Sequence, residues 1–177
     1  ISAAGCKKGY LDLANPNQQT TATFWKNEEE ATKAVNAIYQ SLHYDGTFLR
    51  FAQCALDFRG DDVMSPSPWD VLSNTGSFKL FNNSIMQQWL WIAFFGGVTR
   101  ANFVLDNLGK VPFTTPGYHD RLRGEALFLR GLNYYYLVTF FKNIPLVTKF
   151  YEKSEEYFPS QANPDDVWNQ IYTDFTD

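Results

Sequence analysis

The sequence predicts an all-α fold in which antiparallel helices pair across long irregular loops. Three observations predict it. Over residues 120–141, Leu122, Ala126, Leu129, Asn133, Tyr136, Leu137 and Phe140 recur at spacings of three and four, which is one side of a 3.6-residue helix. A second stretch of the same period runs from 84 to about 108. Asn27 and Asn163 each stand before an amphipathic run with acids in its first turn, the chemistry of a helix N-terminus. At 177 residues the chain can bury one good-sized core, and its 45% apolar content is that of a globular protein. It reads as one domain or part of one.

In chain order, residues 10–26 form an irregular arm rich in Asn, Gln and Thr. Asn27 with Glu30 three residues on has the form of a capping box, and Ala31, Ala34, Val35, Ile38, Tyr39 and Leu42 keep one apolar face. That helix is expected to end near 43–46. A helix or extended piece follows through 49–58, broken by Gly60-Asp61-Asp62. From 61 to 84 periodicity is lost while Pro66, Pro68 and Gly76 appear among Asn and Ser, so a long loop is expected. Loops of that length in a compact domain are usually functional or disordered.

Ser84 with Gln87 opens the next helix, expected to bury Trp91, Phe95, Val98, Ala101, Asn102, Leu105 and Leu108. Residues 109–117 connect it to the helix at 120–141, which makes the two an antiparallel pair. Over 131–141 the apolar character spreads almost all round the helix, so burial by other helices on more than one side is expected. Lys142 and Asn143 stop it and Pro145 prevents resumption. Its uncharged run between Arg130 and Lys142 is far shorter than the roughly 20 residues a bilayer requires. The last helix opens at Asn163-Pro164-Asp165-Asp166, with Val167, Trp168, Ile171, Tyr172 and Phe175 as its expected face.

A net charge of −4 and a pI near 5.1 argue against nucleic acid, which would want a basic stripe. Two cysteines make a disulfide framework a poor reading, and Cys54, flanked by Ala52, Ala55 and Leu56, reads as a buried inert thiol. No nucleophile elbow, zinc-helix pair or phosphate-cradling glycine loop occurs in the sequence, which favours binding over catalysis and calls for no cofactor. Asp57, Asp61 and Asp62 lack the alternation of a calcium loop and read as solvated turn acids, and His43 and His119 have no second ligand at metal spacing.

The unusual number is 18% aromatic. Most of these rings are expected to fill helix interfaces. A few in loops would serve as platforms for sugar rings, whose axial C–H faces are apolar while their hydroxyls seek Asp, Asn, Gln or Arg. The candidate is the loop 61–83, where Trp69 stands beside Asp70, with Asn74, Phe78 and Asn82 completing the set. An alternative stays open, that Trp69 folds back to plug the helix layer.

The helix and its terminator also carry a family resemblance. Glu125-Ala126-Leu127-Phe128-Leu129-Arg130-Gly131, Tyr134-Tyr135-Tyr136-Leu137-Val138 and then Asn143-Ile144-Pro145-Leu146-Val147 resemble the SusD/RagB family of outer-membrane glycan-binding lipoproteins. Gly131 stands where that family usually has Ala, and Lys142 where it usually has Gly. Residues 91–108 (W-x-x-x-F-x-x-V-x-R-A-N-x-x-L-x-x-L) and the helix from Val167 carry further likenesses. So does Ala3-Ala4-Gly5-Cys6, which has the form of a lipoprotein processing site.

The resemblance implies tetratricopeptide-like helix pairs in the N-terminal part of a longer, here truncated, protein. Residues 1–5 would be a signal-peptide remnant, 6–26 an arm lipidated at Cys6, and 27–177 the incomplete helical domain. The expected function is capture of oligosaccharide at the cell surface and its transfer to a SusC-like TonB-dependent transporter, with no bond made or broken. Two rivals are a tetratricopeptide-like scaffold of the transporter complex that binds no sugar, and a surface glycosidase.

Overall fold

The computed structural model describes residues 24–65, 67–152 and 158–177. The segment 1–5 expected to be a signal-peptide remnant, the expected lipidation site Cys6 and most of the arm lie outside the described residues. Those described form α1 (Glu28–Gln40), α2 (Phe51–Asp57), α3 (Asp70–Gly76), α4 (Ile85–Asn107), α5 (Tyr118–Phe141) and α6 (Pro164–Thr176), with no strand among them. α4 and α5 are the central antiparallel pair. α6 lies along α5, and α1 packs on both α4 and α5. No described helix is long and apolar enough to cross a membrane.

The caps form largely as their residues dictate. Asn27 Oδ1 accepts from the Glu30 amide at 3.0 Å, while Glu30 reaches back to the Lys26 amide at 2.7 Å, one residue earlier than a capping box would have it. Asn163 Oδ1 accepts from the Asp165 amide, with Pro164 in the first turn. Glu28 does more than suit the helix dipole. Its carboxylate accepts from the backbone amides of Thr114 and Thr115 and from both hydroxyls, tying α1 to the α4–α5 connection.

Those donors hold the Glu28 carboxyl down to about 2 from its ordinary 4.5. Because the folded value is the lower one, the clasp contributes fully above about pH 4.5 and is lost as pH falls toward 2. The Thr114 and Thr115 amide resonances should therefore shift together in an acid NMR titration. That shared transition is expected to vanish in Glu28→Gln.

At its other end α5 stops at a strained turn. Lys142 takes φ +61°, ψ −65°, and the Asn143 amide donates to the Phe141 carbonyl at 2.6 Å, a γ-turn of the positive-φ kind. This is the position at which the resembled family carries Gly, and the geometry supplies the reason. Lys142→Gly is expected to raise stability by about 1 kcal/mol, read as a higher urea midpoint with unchanged m. An unchanged or lower midpoint contradicts it.

The segment after that turn is pinned by Tyr134, whose hydroxyl donates to the Val147 carbonyl and accepts from the Val147 amide, both at 2.7 Å. Burial pushes the Tyr134 phenol well above its usual range. Beside it lies a buried polar clasp. Arg130 grips Asp174 of α6 through two hydrogen bonds of 2.8 and 2.6 Å and donates a third to Asn102 Oδ1 of α4 at 3.0 Å. Asn102 in turn donates to the Val147 carbonyl at 2.8 Å. One guanidinium thus links α4, α5 and α6, which accounts for the Arg and Asn in the two longest motifs.

Two glycines mark close approaches. A Cβ on Gly97 would lie within van der Waals overlap of the Asn133 side chain, which is how α4 and α5 come together. One on Gly131 would meet the Phe175 ring at 2.7 Å, so the departure from Ala lets α6 seat closely on α5.

The helices agree with expectation more closely than their faces do. The piece at 49–58 is helical over α2, and the expected loop at 61–84 contains a helix, α3. On α4, Trp91, Phe95 and Leu105 are only half-buried, while Met86, Leu90, Phe94 and Val104 are buried. Tyr136 and Phe140 of α5 are half-buried too, because Leu127, Arg130, Tyr134 and Val138 take the faces toward α4 and α6. The face of α6 is rotated. Val167, Ile171 and Asp174 are buried, whereas Trp168, Tyr172 and Phe175 are exposed, because Asp174 must turn inward to meet Arg130. Cys54 is half-buried rather than buried, and desolvation still raises its thiol pKa, which keeps it in the unreactive form.

Candidate functional site

Pro68 turns the chain into α3, and Trp69 caps that helix in extended backbone (φ −87°, ψ 112°). Its amide donates to Ser67 Oγ at 3.1 Å and its carbonyl accepts from the Leu72 and Ser73 amides. Trp69 as a residue is 40% exposed. One side leans on Phe51 of α2, with centroids 5.5 Å apart and planes at 54°, and the Arg50 guanidinium lies 5.6 Å from its centroid. Both readings of Trp69 therefore hold in part. Phe51 and Arg50 lie against it, while the residue as a whole stays partly exposed.

Asp70 is the first residue of α3 and is exposed. Asn74, one turn on, is half-buried and opens on a shallow depression of about 190 Å³ shared with Lys79, Phe81, Asn83 and Ile85. The helix then ends with the Lys79 amide on the Asn74 carbonyl at 2.8 Å and the Phe78 amide on that of Thr75 at 3.2 Å. That crossed pair requires a left-handed residue, and Phe78 supplies it at φ +57°. Its ring is held out at 72% exposure, and Asn82 is exposed beyond it.

The five candidates thus form two groups rather than one cluster. Trp69, Asp70 and, one turn on, Asn74 stand along α3, and Phe78 and Asn82 at and beyond its end, about 10 Å from its start at 1.5 Å per helical residue. A linear chain of sugar rings can span that distance, whereas one ring cannot.

Sequence reasoning missed Arg50 and Phe51, which meet Trp69 only because α2 and α3 pack together. A second concavity, about 240 Å³, lies on the flank of α4 between Trp91 and Phe95 on one side and Pro145, Tyr151 and Pro159 on the other. It is mainly apolar. Among the described residues no group of three or more His, Cys, Asp or Glu is placed to hold a metal. Asp57, Asp61 and Asp62 are exposed.

A SusD-like family, described as starch-binding and associating with the outer membrane, matches residues 9–177. No curated protein matches the chain. Among solved structures it is similar to a laminarin-binding SusD-like protein, at 32% identity and a TM-score of 0.72 over 85% of this chain and 33% of that one. It shares its fold with a SusD superfamily protein from Bacteroides vulgatus, at 21% identity and TM-score 0.76 over 86% and 34% of the two chains. It shares it also with surface glycan-binding protein A from Bacteroides fluxus, at 22% identity and TM-score 0.70 over 84% and 32%. The chain therefore spans about a third of the length of each of these proteins.

Proposed function

The chain belongs to the SusD-like family, and from that premise we propose that it is the N-terminal part of a cell-surface lipoprotein that captures oligosaccharide and passes it to a TonB-dependent outer-membrane transporter. In this reading residues 1–5 are the remnant of a signal peptide, Cys6 carries the lipid, 6–26 tether the domain and 27–177 begin its helical body. Stable anchoring then needs more than one acyl chain on that cysteine.

The observation that carries the glycan reading is the partly open Trp69 ring, with the Asp70 carboxylate next to it in sequence. An indole face matches the apolar C–H face of a pyranose, and a carboxylate accepts from its hydroxyls. Asn74, Phe78 and Asn82 extend the same surface along α3. The mechanism is equilibrium binding with no chemical step, so recognition at this surface and release toward the transporter suffice.

Because a similar protein is named for laminarin and the family for starch, glucans are the first ligands to offer. Affinity electrophoresis of the full-length protein through gels containing each glucan tests the reading. Retardation by a glucan supports it. Unretarded protein that still pulls down a transporter favours the scaffold, and new reducing ends in the polysaccharide would mark a glycosidase.

A further inference from the structure

We propose that the outer face of α4 is covered by the part of this chain that follows residue 177 in the longer protein, and that a large apolar side chain of that part enters the concavity beside Trp91. The inference rests on reading the chain as an N-terminal part. Between Lys79 and Arg100 no residue is charged. α4 turns Met86, Leu90 and Phe94 inward, yet Ile85, Trp89 and Ile92, at i, i+4 and i+7 on another side, each stay about half exposed. Gln88 and Thr99 complete that face, and both are exposed.

The open faces of α1 and of the first turns of α5 are built differently. Glu29 pairs with Lys33 on the one and Arg121 with Glu125 on the other. A helix that is apolar all round is one that a protein surrounds. Among the described residues, one side of α4 meets solvent instead.

The stripe adjoins the concavity of about 240 Å³, which Trp91 and Phe95 wall on the α4 side and Pro145, Val147 and Tyr151 on the other. The Thr99 hydroxyl in its lining already donates to the Phe95 carbonyl at 2.9 Å. Rings and prolines offer an entering group dispersion contact and few hydrogen bonds, which suits a Leu or Phe side chain and not a sugar.

The composition also selects the occupant. Contacts that stay closed are the apolar, charge-poor ones, whereas a contact that opened during transfer to a transporter would return Trp89 and both isoleucines to water each time. The chain spans about a third of each solved structure it resembles, so about two thirds of such a protein lies outside it. Being tethered to this domain, that part meets α4 at a high effective concentration, without a separate encounter.

The test is thiol labelling of the full-length protein carrying Gln88→Cys or Thr99→Cys, with the label located by peptide mass spectrometry and each rate compared with that of the same variant in urea. It is run at a concentration where light scattering gives the monomer mass, with neither glucan nor transporter added. Both side chains are exposed on α4 as described, so urea midpoints should stay close to wild type. Gln88→Cys reports on the stripe and Thr99→Cys on the concavity. Labelling at each is expected to be at least roughly 100-fold slower in buffer than in urea, as for a site that opens only by local unfolding.

A smaller reduction at either position overturns the inference and leaves the N-terminal reading standing. Protection that appears only once a second copy, a transporter or laminarin is added does the same, because the occupant is then another molecule. A full-length protein no longer than this chain overturns the inference and that reading together.

Discussion

An Arg130→Leu variant is expected to lose about 3–5 kcal/mol of folding stability, because it strands an ionised carboxylate inside the protein. Asp174 is 3% exposed and receives two of its three side-chain hydrogen bonds from Arg130, the third coming from Gln170. Asn102 Oδ1 and the Thr148 carbonyl lose donors in the same substitution. Set against the 5–15 kcal/mol of a typical domain, that loss is a large share of the total. Denaturant titration followed by circular dichroism would show a much lower midpoint.

The pair itself, as distinct from its breakage, contributes less. Taking two charges out of water costs about as much as their attraction returns, so Arg130→Leu combined with Asp174→Leu should recover most of the loss. A double variant as unstable as the single one would contradict that account. It would mean that Arg130 acts mainly through Asn102 and the 147–148 backbone.

The second large effect concerns binding. Trp69→Ala should reduce glycan affinity by at least roughly thirtyfold, the factor that corresponds to about 2 kcal/mol for an aromatic anchor. Its effect on stability should be smaller, since the residue is already 40% exposed and its ring contacts are with Phe51 and Arg50. Phe78→Ala, at 72% exposure, should leave stability almost untouched and lower affinity only for oligosaccharides long enough to reach past α3. Equal losses for short and long glucans would place both rings at one subsite, against the two-group geometry.

Local chemistry made much of the fold legible. Asn27 and Asn163 announce their helices because a cap side chain acts within three residues of itself. The stop at Lys142 was readable from Asn143 and Pro145, which end a helix through their own backbone preferences. The rotation of α6 was not. Asp174 looks like a solvent residue in any periodicity argument, and its partner Arg130 is 44 residues away. Of the expected face, Val167 and Ile171 are buried while Trp168, Tyr172 and Phe175 are left outside.

α3 escaped because seven residues carry too little periodicity to stand out among Pro, Ser and Asn. The candidate site shows the same division. Trp69 and Asp70 were legible as a ring and an acid in a loop, whereas Arg50 joins them through the packing of α2 on α3, which leaves no local mark. The separation of Phe78 and Asn82 from Trp69 follows from the helix that the loop conceals.

The central claim is that carbohydrate rests on the open part of Trp69. Crystals of the full-length protein soaked with a glucan oligosaccharide test it most directly. The account predicts a pyranose ring stacked on the Trp69 indole, with hydroxyls toward Asp70. Sugar density in the Trp91–Phe95–Tyr151 concavity or elsewhere, with Trp69 untouched, would contradict it.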